Sequence, residues 1–220
     1  MQLHRSRSVS VSLVLAAGGA ALLLGLAPAA LAGIHTWDVN EVFSNADGSI
    51  QFVELREANN SANETGVGNG TISSVVQAET HSFGNGAVTG PTNNKFYLIA
   101  TQSFADLPGA PVPDEILPPE DIPFFAVAGD TVSFGPYDSW NFQTLGVPTN
   151  GVDSLHKTGP SSGVVALNSP TNYAGDTGSV DANPVEPPVP LASPPALVLL
   201  FAALLGAGAA LARRAARSPA

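Results

Sequence analysis

The 220-residue chain has no cysteine. That excludes disulfide bonds and thiolate metal ligands, so an exported part must hold together by packing and hydrogen bonding alone. Charge is scarce as well: 12% of residues are Asp, Glu, Lys or Arg, against about 25% in an ordinary soluble domain. Bases are the rarest. Only Arg56, Lys95 and Lys157 lie between residues 33 and 186, whereas all 18 acids fall there, from Asp38 to Glu186. Eighteen acids against three bases leave that stretch at −15, more acidic than the whole chain at −10. Such a surface repels phosphate, which speaks against nucleic-acid binding, and it attracts divalent cations or basic partners. Excess acid also simply keeps a domain soluble.

The long apolar runs are confined to the two ends. His4, Arg5 and Arg7 precede an almost wholly apolar Val9 to Ala27, and Ala30-Leu31-Ala32 follows just before Gly33. Basic start, apolar core and small-x-small site in that order predict a signal peptide over 1–32, cut by signal peptidase at Ala30, Ala32 and Gly33. A retained membrane helix is the alternative. At the other end, residues 184–190 are proline-rich and extended. Ala196 to Ala212 is then 17 residues without a charge, about 26 Å long as a helix against a bilayer core of about 30 Å. Arg213, Arg214 and Arg217 close it, so 213–220 is expected in the cytoplasm and the body outside.

A proline motif, a short Ala/Leu/Gly helix and a terminal arginine cluster together resemble the PEP-CTERM type of bacterial sorting tail, over about residues 185–217. The resemblance implies an exosortase-type transpeptidase as partner, cutting near the proline motif at about Val189 and Pro190, with transfer to the cell surface or matrix. The chain departs from the usual Val-Pro-Glu-Pro, having Val185-Glu186-Pro187-Pro188 instead. A plain C-terminal anchor is the other reading of these residues.

The body reads as all-β, a β-sandwich over 33–167, with 168–195 as a Pro/Gly/Asn-rich linker. Apolar runs are short and separated by turn residues, with no helical period. Ile34–Arg56 reads as two strands around Asp47-Gly48, taken as a two-residue type I′ loop. Later strands are expected at Thr71–Val76, Lys95–Ala100, Asp130–Phe134, Val152–His156 and Val164–Leu167. Thr101 is placed to cap a helical turn over Thr101–Leu107. Two stretches, Glu57–Gly70 and Asp106–Pro123, read as long loops.

The hairpin loop sets a register in which facing residues sum to 95, so Glu41 opposes Glu54. Like charges directly opposed destabilise a sheet. Arg56, diagonal to Glu41, is the expected compensation; a shared Ca²⁺ is the minor alternative, with Glu41 and Glu54 as its oxygen ligands and the acidic 114–121 loop as a second source. No other cofactor is expected. The three body histidines, His35, His81 and His156, lack zinc spacing. In Asp153-Ser154-Leu155-His156, Ser154 and His156 share a strand face and Asp153 does not, so no catalytic set is expected. Gly66-x-Gly68-x-Gly70 has no following helix to bind phosphate and reads as a flexible loop. Trp37, Phe124, Phe125, Tyr137, Trp140 and Phe142 either fill the core or line a binding face.

Val39-Asn40-Glu41-Val42 followed by Phe52-Val53-Glu54-Leu55 resembles the opening of lamin-tail-like domains. Phe96-Tyr97-Leu98-Ile99 fits a later strand of that family. Ser154-Leu155-His156-Lys157 and then Asn168-Ser169-Pro170-Thr171-Asn172 resemble its closing pattern. The resemblance implies an immunoglobulin-like sandwich, exported in bacteria and often an accessory to nucleases or phosphoesterases; no such catalytic partner is encoded here. The expected function is a non-catalytic, membrane- or surface-tethered module that binds or builds in the cell envelope or extracellular matrix. A Ca²⁺-dependent adhesion module and an unrecognised hydrolase are the alternatives.

Overall fold

The computed structural model describes residues 33–183. The segment 1–32 with Ala30 and Ala32, the positions Val189 and Pro190, the apolar stretch 196–212, and Arg213, Arg214 and Arg217 lie outside the described residues. Among the described residues no helix is long and apolar enough to cross a membrane.

Strands β1 (Trp37–Ser44) and β2 (Gln51–Glu57) form the expected hairpin, and Phe43↔Phe52, Val42↔Val53 and Glu41↔Glu54 are in the expected register. The turn differs. Asn45 N–H donates to Ile50 O at 3.0 Å, so the loop is the four residues 46–49. Of the central pair only Gly48 has positive φ, at 76°, which rules out type I′. The Asn45 and Asp47 side chains close the loop instead, accepting from Ile50 N at 3.1 Å and Ser49 N at 3.0 Å. Both loops give the same pairing sum, so the register survives the change of turn.

Beyond Glu41 the register slips by one, with Val39 facing Leu55. Asn40 is thus the extra residue of a β-bulge. The bulge puts both Val39 and Val42 on the core side although three positions separate them. It also moves Arg56 one residue farther from Glu41, opposite Asp38.

The remaining strands are β3 (Thr71–Ser74), β4 (Thr80–Ser82), β5 (Phe96–Thr101), β6 (Glu115–Leu117), β7 (Thr131–Phe134), β8 (Asp138–Asn141), β9 (Asp153–Gly159) and β10 (Ser162–Leu167). They make two sheets, ordered β10-β9-β1-β2-β5-β6 and β4-β3-β7-β8. The all-β expectation holds at this level. Between the sheets lie Trp37, Val39, Val42, Val53, Leu55, Phe124, Phe125, Trp140 and Phe142, all fully buried. Five of the six aromatics in question are therefore core, and only Tyr137 is exposed. The helical turn is α1 (Gln102–Ala105), with the Thr101 hydroxyl accepting from Phe104 N. Gly66-x-Gly68-x-Gly70 is a buried 3₁₀ turn rather than a flexible loop: a Cβ at Gly68 would collide with Gly86 O, and one at Gly70 with the Phe134 ring.

A second core lies on the outer face of the larger sheet. Phe43, Phe52, Leu98, Ala100 and Phe104 pack there against Val180 and Ala182, with Phe43 and Phe52 stacked at 5.4 Å between centroids. Residues 168–182, expected as linker, are thus a strap folded back over the sheet. Its ends are tied by Asn168 N to Val152 O at 3.1 Å and Ala182 N to Gly151 O at 2.8 Å. Buried Asn168 locks it further, donating to Val152 O and Val180 O and accepting from Val180 N.

A chain ending at Leu167 uncovers Phe43, Phe52 and Phe104. It should lose on the order of 5 kcal/mol and its cooperative melt, whereas a chain ending at Asn183 keeps both. Equal thermal transitions for the two chains would show that the strap is dispensable.

Candidate functional site

The outer-face core ends at one edge in a polar cluster. Glu41 on β1 and Glu54 on β2 share that face with Phe43 and Phe52 by strand alternation, and both are buried. Two carboxylates in such a place need donors, because an unpaired buried charge is costly. The strap and β9 supply them. Glu41 Oε1 accepts from Ser154 Oγ at 2.6 Å and Ser169 N at 3.0 Å, and its Oε2 accepts from Ser169 Oγ at 3.0 Å. His156 Nδ1 stands 3.5 Å from the same Oε2. Glu54 Oε1 accepts from Asn40 Nδ2 at 2.6 Å and Oε2 from Thr171 N at 2.7 Å.

Arg56 does not join them. It is exposed, stacks over the Phe96 ring at 5.8 Å and reaches Asn94 at 3.5 Å. The expected Glu41–Arg56–Glu54 cluster is replaced by neutral donors, and the bulge at Asn40 is the reason. Burial and then the charge of Glu41 push the Glu54 carboxyl up to about 8, against the bonds from Asn40 and Thr171 and the more distant Arg56. Glu54 is therefore a carboxylic acid at neutral pH. When protonated it can donate to Asn40 once that amide turns its oxygen toward it.

The hydrogen bonds of the pair come from the protein itself. Every carboxylate oxygen of Glu41 and Glu54 already accepts from a protein donor, and no group of three His, Asp or Glu able to hold a metal occurs among the described residues. The acidic 114–121 loop is committed elsewhere. Asp114 Oδ2 accepts from Leu98 N and Tyr173 N, and burial raises its pKa. His81 sits between Glu115 and Asp121, 2.9 Å and 3.4 Å from their oxygens.

Ser154 and His156 do share a face, with Oγ and Nε2 3.0 Å apart, and the nearby carboxylate is Glu41 rather than Asp153. The residue types are those of a Ser–His–acid triad, but the serine is bonded to the acid itself. His156 Nε2 also lies 3.2 Å from Leu167 O. Ser154 donates directly to Glu41 and is fully buried, out of reach of a substrate. Sequence reasoning missed Ser169 and Thr171 as partners. The only signal for them was the Asn-Ser-Pro-Thr-Asn run itself.

Because the folded state holds the Glu54 proton up to about 8 and the unfolded chain releases it near 4.5, the stability linked to this group is complete below pH 4.5. It is lost as pH rises to 8, at up to about 1.4 kcal/mol per unit. Glu54→Gln keeps the bonds without the titration. The stability difference between variant and wild type should grow in the variant's favour from pH 5 to pH 8 and then level off in urea unfolding. A pH-independent difference would contradict a neutral Glu54.

Comparison with family models, with curated proteins and with solved structures gives no match for this chain.

Proposed function

We propose that the protein is an exported β-sandwich module, tethered to a membrane or surface through its C-terminal end, whose role in the cell envelope or extracellular matrix is binding or structural rather than catalytic. The observation that carries this reading is the lock between strap and sheet. The last described residues are not a loose lead into the C-terminal segment. They are pinned across the sheet by Glu41 and Glu54 through Ser169 and Thr171. A load on the C-terminal end therefore meets buried hydrogen bonds, two of them to the Glu41 carboxyl group, which suits a body held from that end.

The same lock supports the lamin-tail-like resemblance. Its motif residues lie far apart in the chain: Glu41, Glu54, Ser154, Ser169 and Thr171. In the fold they converge on one buried cluster, so the pattern has a physical basis as a set of mutual hydrogen-bond partners. A two-sheet sandwich is also what that family's fold requires. The reading as an immunoglobulin-like member rests on these two supports. Calcium-dependent adhesion has no comparable support, since the carboxylates in question are already engaged.

Intact protein from its native membrane tests the tether. A mass ending near residue 190 favours transpeptidase transfer, one ending at Ala220 a plain anchor, and recovery of the unprocessed chain from the cytoplasm overturns export. A fluorophosphonate probe tests the absence of serine chemistry. Ser154 should remain unlabelled, and Ser154→Ala should cost about 2 kcal/mol of stability; covalent labelling at Ser154 would overturn the non-catalytic role.

A further inference from the structure

The N-terminal end of the described body is built as carefully as the strap. Gly33 N–H donates to Asn63 O at 3.0 Å, and Gly33 O accepts from Gly66 N at 2.8 Å. Residue 33 is therefore held between two points of the 58–70 loop. The Glu64 carboxyl group lies in the space a side chain at 33 would fill: a Cβ there would be 2.7 Å from Glu64 Cδ and 2.9 Å from Oε2. Since Cβ and N of one residue are about 2.5 Å apart, the carboxyl group lies within about 5 Å of the Gly33 nitrogen. A side chain at 33 would push the Glu64 carboxyl group out of this position.

Glu64 is short of a cation. Its side chain is 14% exposed. Oε2 accepts from His35 N at 2.6 Å, and the one ring facing it is His35, with Nδ1 at 3.9 Å on a side chain 70% exposed. Among the described residues no lysine or arginine makes an ion pair with it. A mostly buried carboxylate beside a glycine nitrogen, directly after an Ala-x-Ala site, is the arrangement a new chain terminus would complete.

We propose that Glu64 is the binding site for the α-ammonium group of Gly33, created when signal peptidase cuts after Ala32. This rests on the export reading above. Hydrolysis of the Ala32–Gly33 amide consumes one water and leaves a carboxylate on Ala32 and an ammonium on Gly33. The amide offered one hydrogen, which goes to Asn63 O. The ammonium offers three and a positive charge, so it keeps that bond and gives Glu64 its counter-ion. Processing then stabilises the body as well as releasing it, and the Gly at 33 serves the ion pair as well as the peptidase.

A two-by-two comparison tests this. The mature chain from its own membrane and a precursor made uncleavable by Ala32→Tyr are each prepared with Glu64 and with Glu64→Gln. The mature wild type should begin at Gly33. Glu64→Gln should lower its melting temperature by roughly 2–4 °C and leave the precursor nearly unchanged. In the mature wild type, ¹⁵N NMR of Gly33 should show the amino group titrating at least half a unit above its ordinary value of about 8; this needs no variant to fold. Equal effects of Glu64→Gln in both chains, or an unshifted amino group, would overturn the ion pair while leaving export intact. A different first residue would overturn the site, and an unprocessed chain would overturn export itself.

Discussion

Backbone amides that no strand can satisfy, capped by buried carboxyl groups, are the constraint on which the fold depends. Asp130 is the fullest case. It is wholly buried, and its two oxygens accept from Val75, Val76, Thr131 and Ala126 N–H groups. Glu57 takes Asn59 N and Asn94 N, Asp114 takes Leu98 N and Tyr173 N, Asp138 takes Val39 N, and Glu64 takes His35 N. Gln51 does the same with a neutral side chain, accepting from Phe124 N and donating to Phe125 O. Most bind a loop to a strand or to another loop, and Asp138 binds strand β8 to the bulged strand β1. In a chain without cysteine these contacts take the place of cross-links, and a charge-assisted hydrogen bond is the strong form of the interaction.

This use of acids changes what the net charge means. A value of −15 over residues 33–186 suggests a field able to gather cations. Much of it is instead directed inward, where it meets amide hydrogens rather than solvent. The Glu41–Glu54 pair shows the limit of the device. Two opposed carboxylates cannot both be charged in so dry a place, and the fold resolves the conflict by holding Glu54 protonated, with burial the larger cause and Glu41 the second. No metal is needed for that, and no base.

The strap belongs to the same logic and carries the functional reading. Val180 and Ala182 cover the phenylalanines of the outer face, while the amides of Ser169 and Thr171 cover the glutamates beside them. Both ends of the body are therefore engaged with its interior, Gly33 through the 58–70 loop and residues 168–182 through the central strands. Chain ends are where fraying and proteolysis concentrate, and here neither end of the body is left loose.

Seven of the ten strands and the register of the first hairpin were legible in the sequence, because alternation and turn residues are local information. The strands missed, β4, β6 and β8, are three or four residues long, too short for a period to show. The bulge had a trace in the chain: Trp37, Val39 and Val42 break the alternation by one step. The strap had almost none. It is rich in Gly, Asn, Pro and Thr, which marks irregular backbone but does not say whether that backbone is packed. The hydrogen-bond donors to Glu41 lie 113 and 128 residues away, and the strap donor to Glu54 lies 117 away. Two of those donors are backbone N–H groups, which every residue but proline carries and no composition distinguishes. The sequence by itself determined that the two glutamates face each other on one side of a hairpin. Only the tertiary structure decided that amides and hydroxyls, and not the arginine, would meet them, because that choice depends on which distant segment folds back over the sheet.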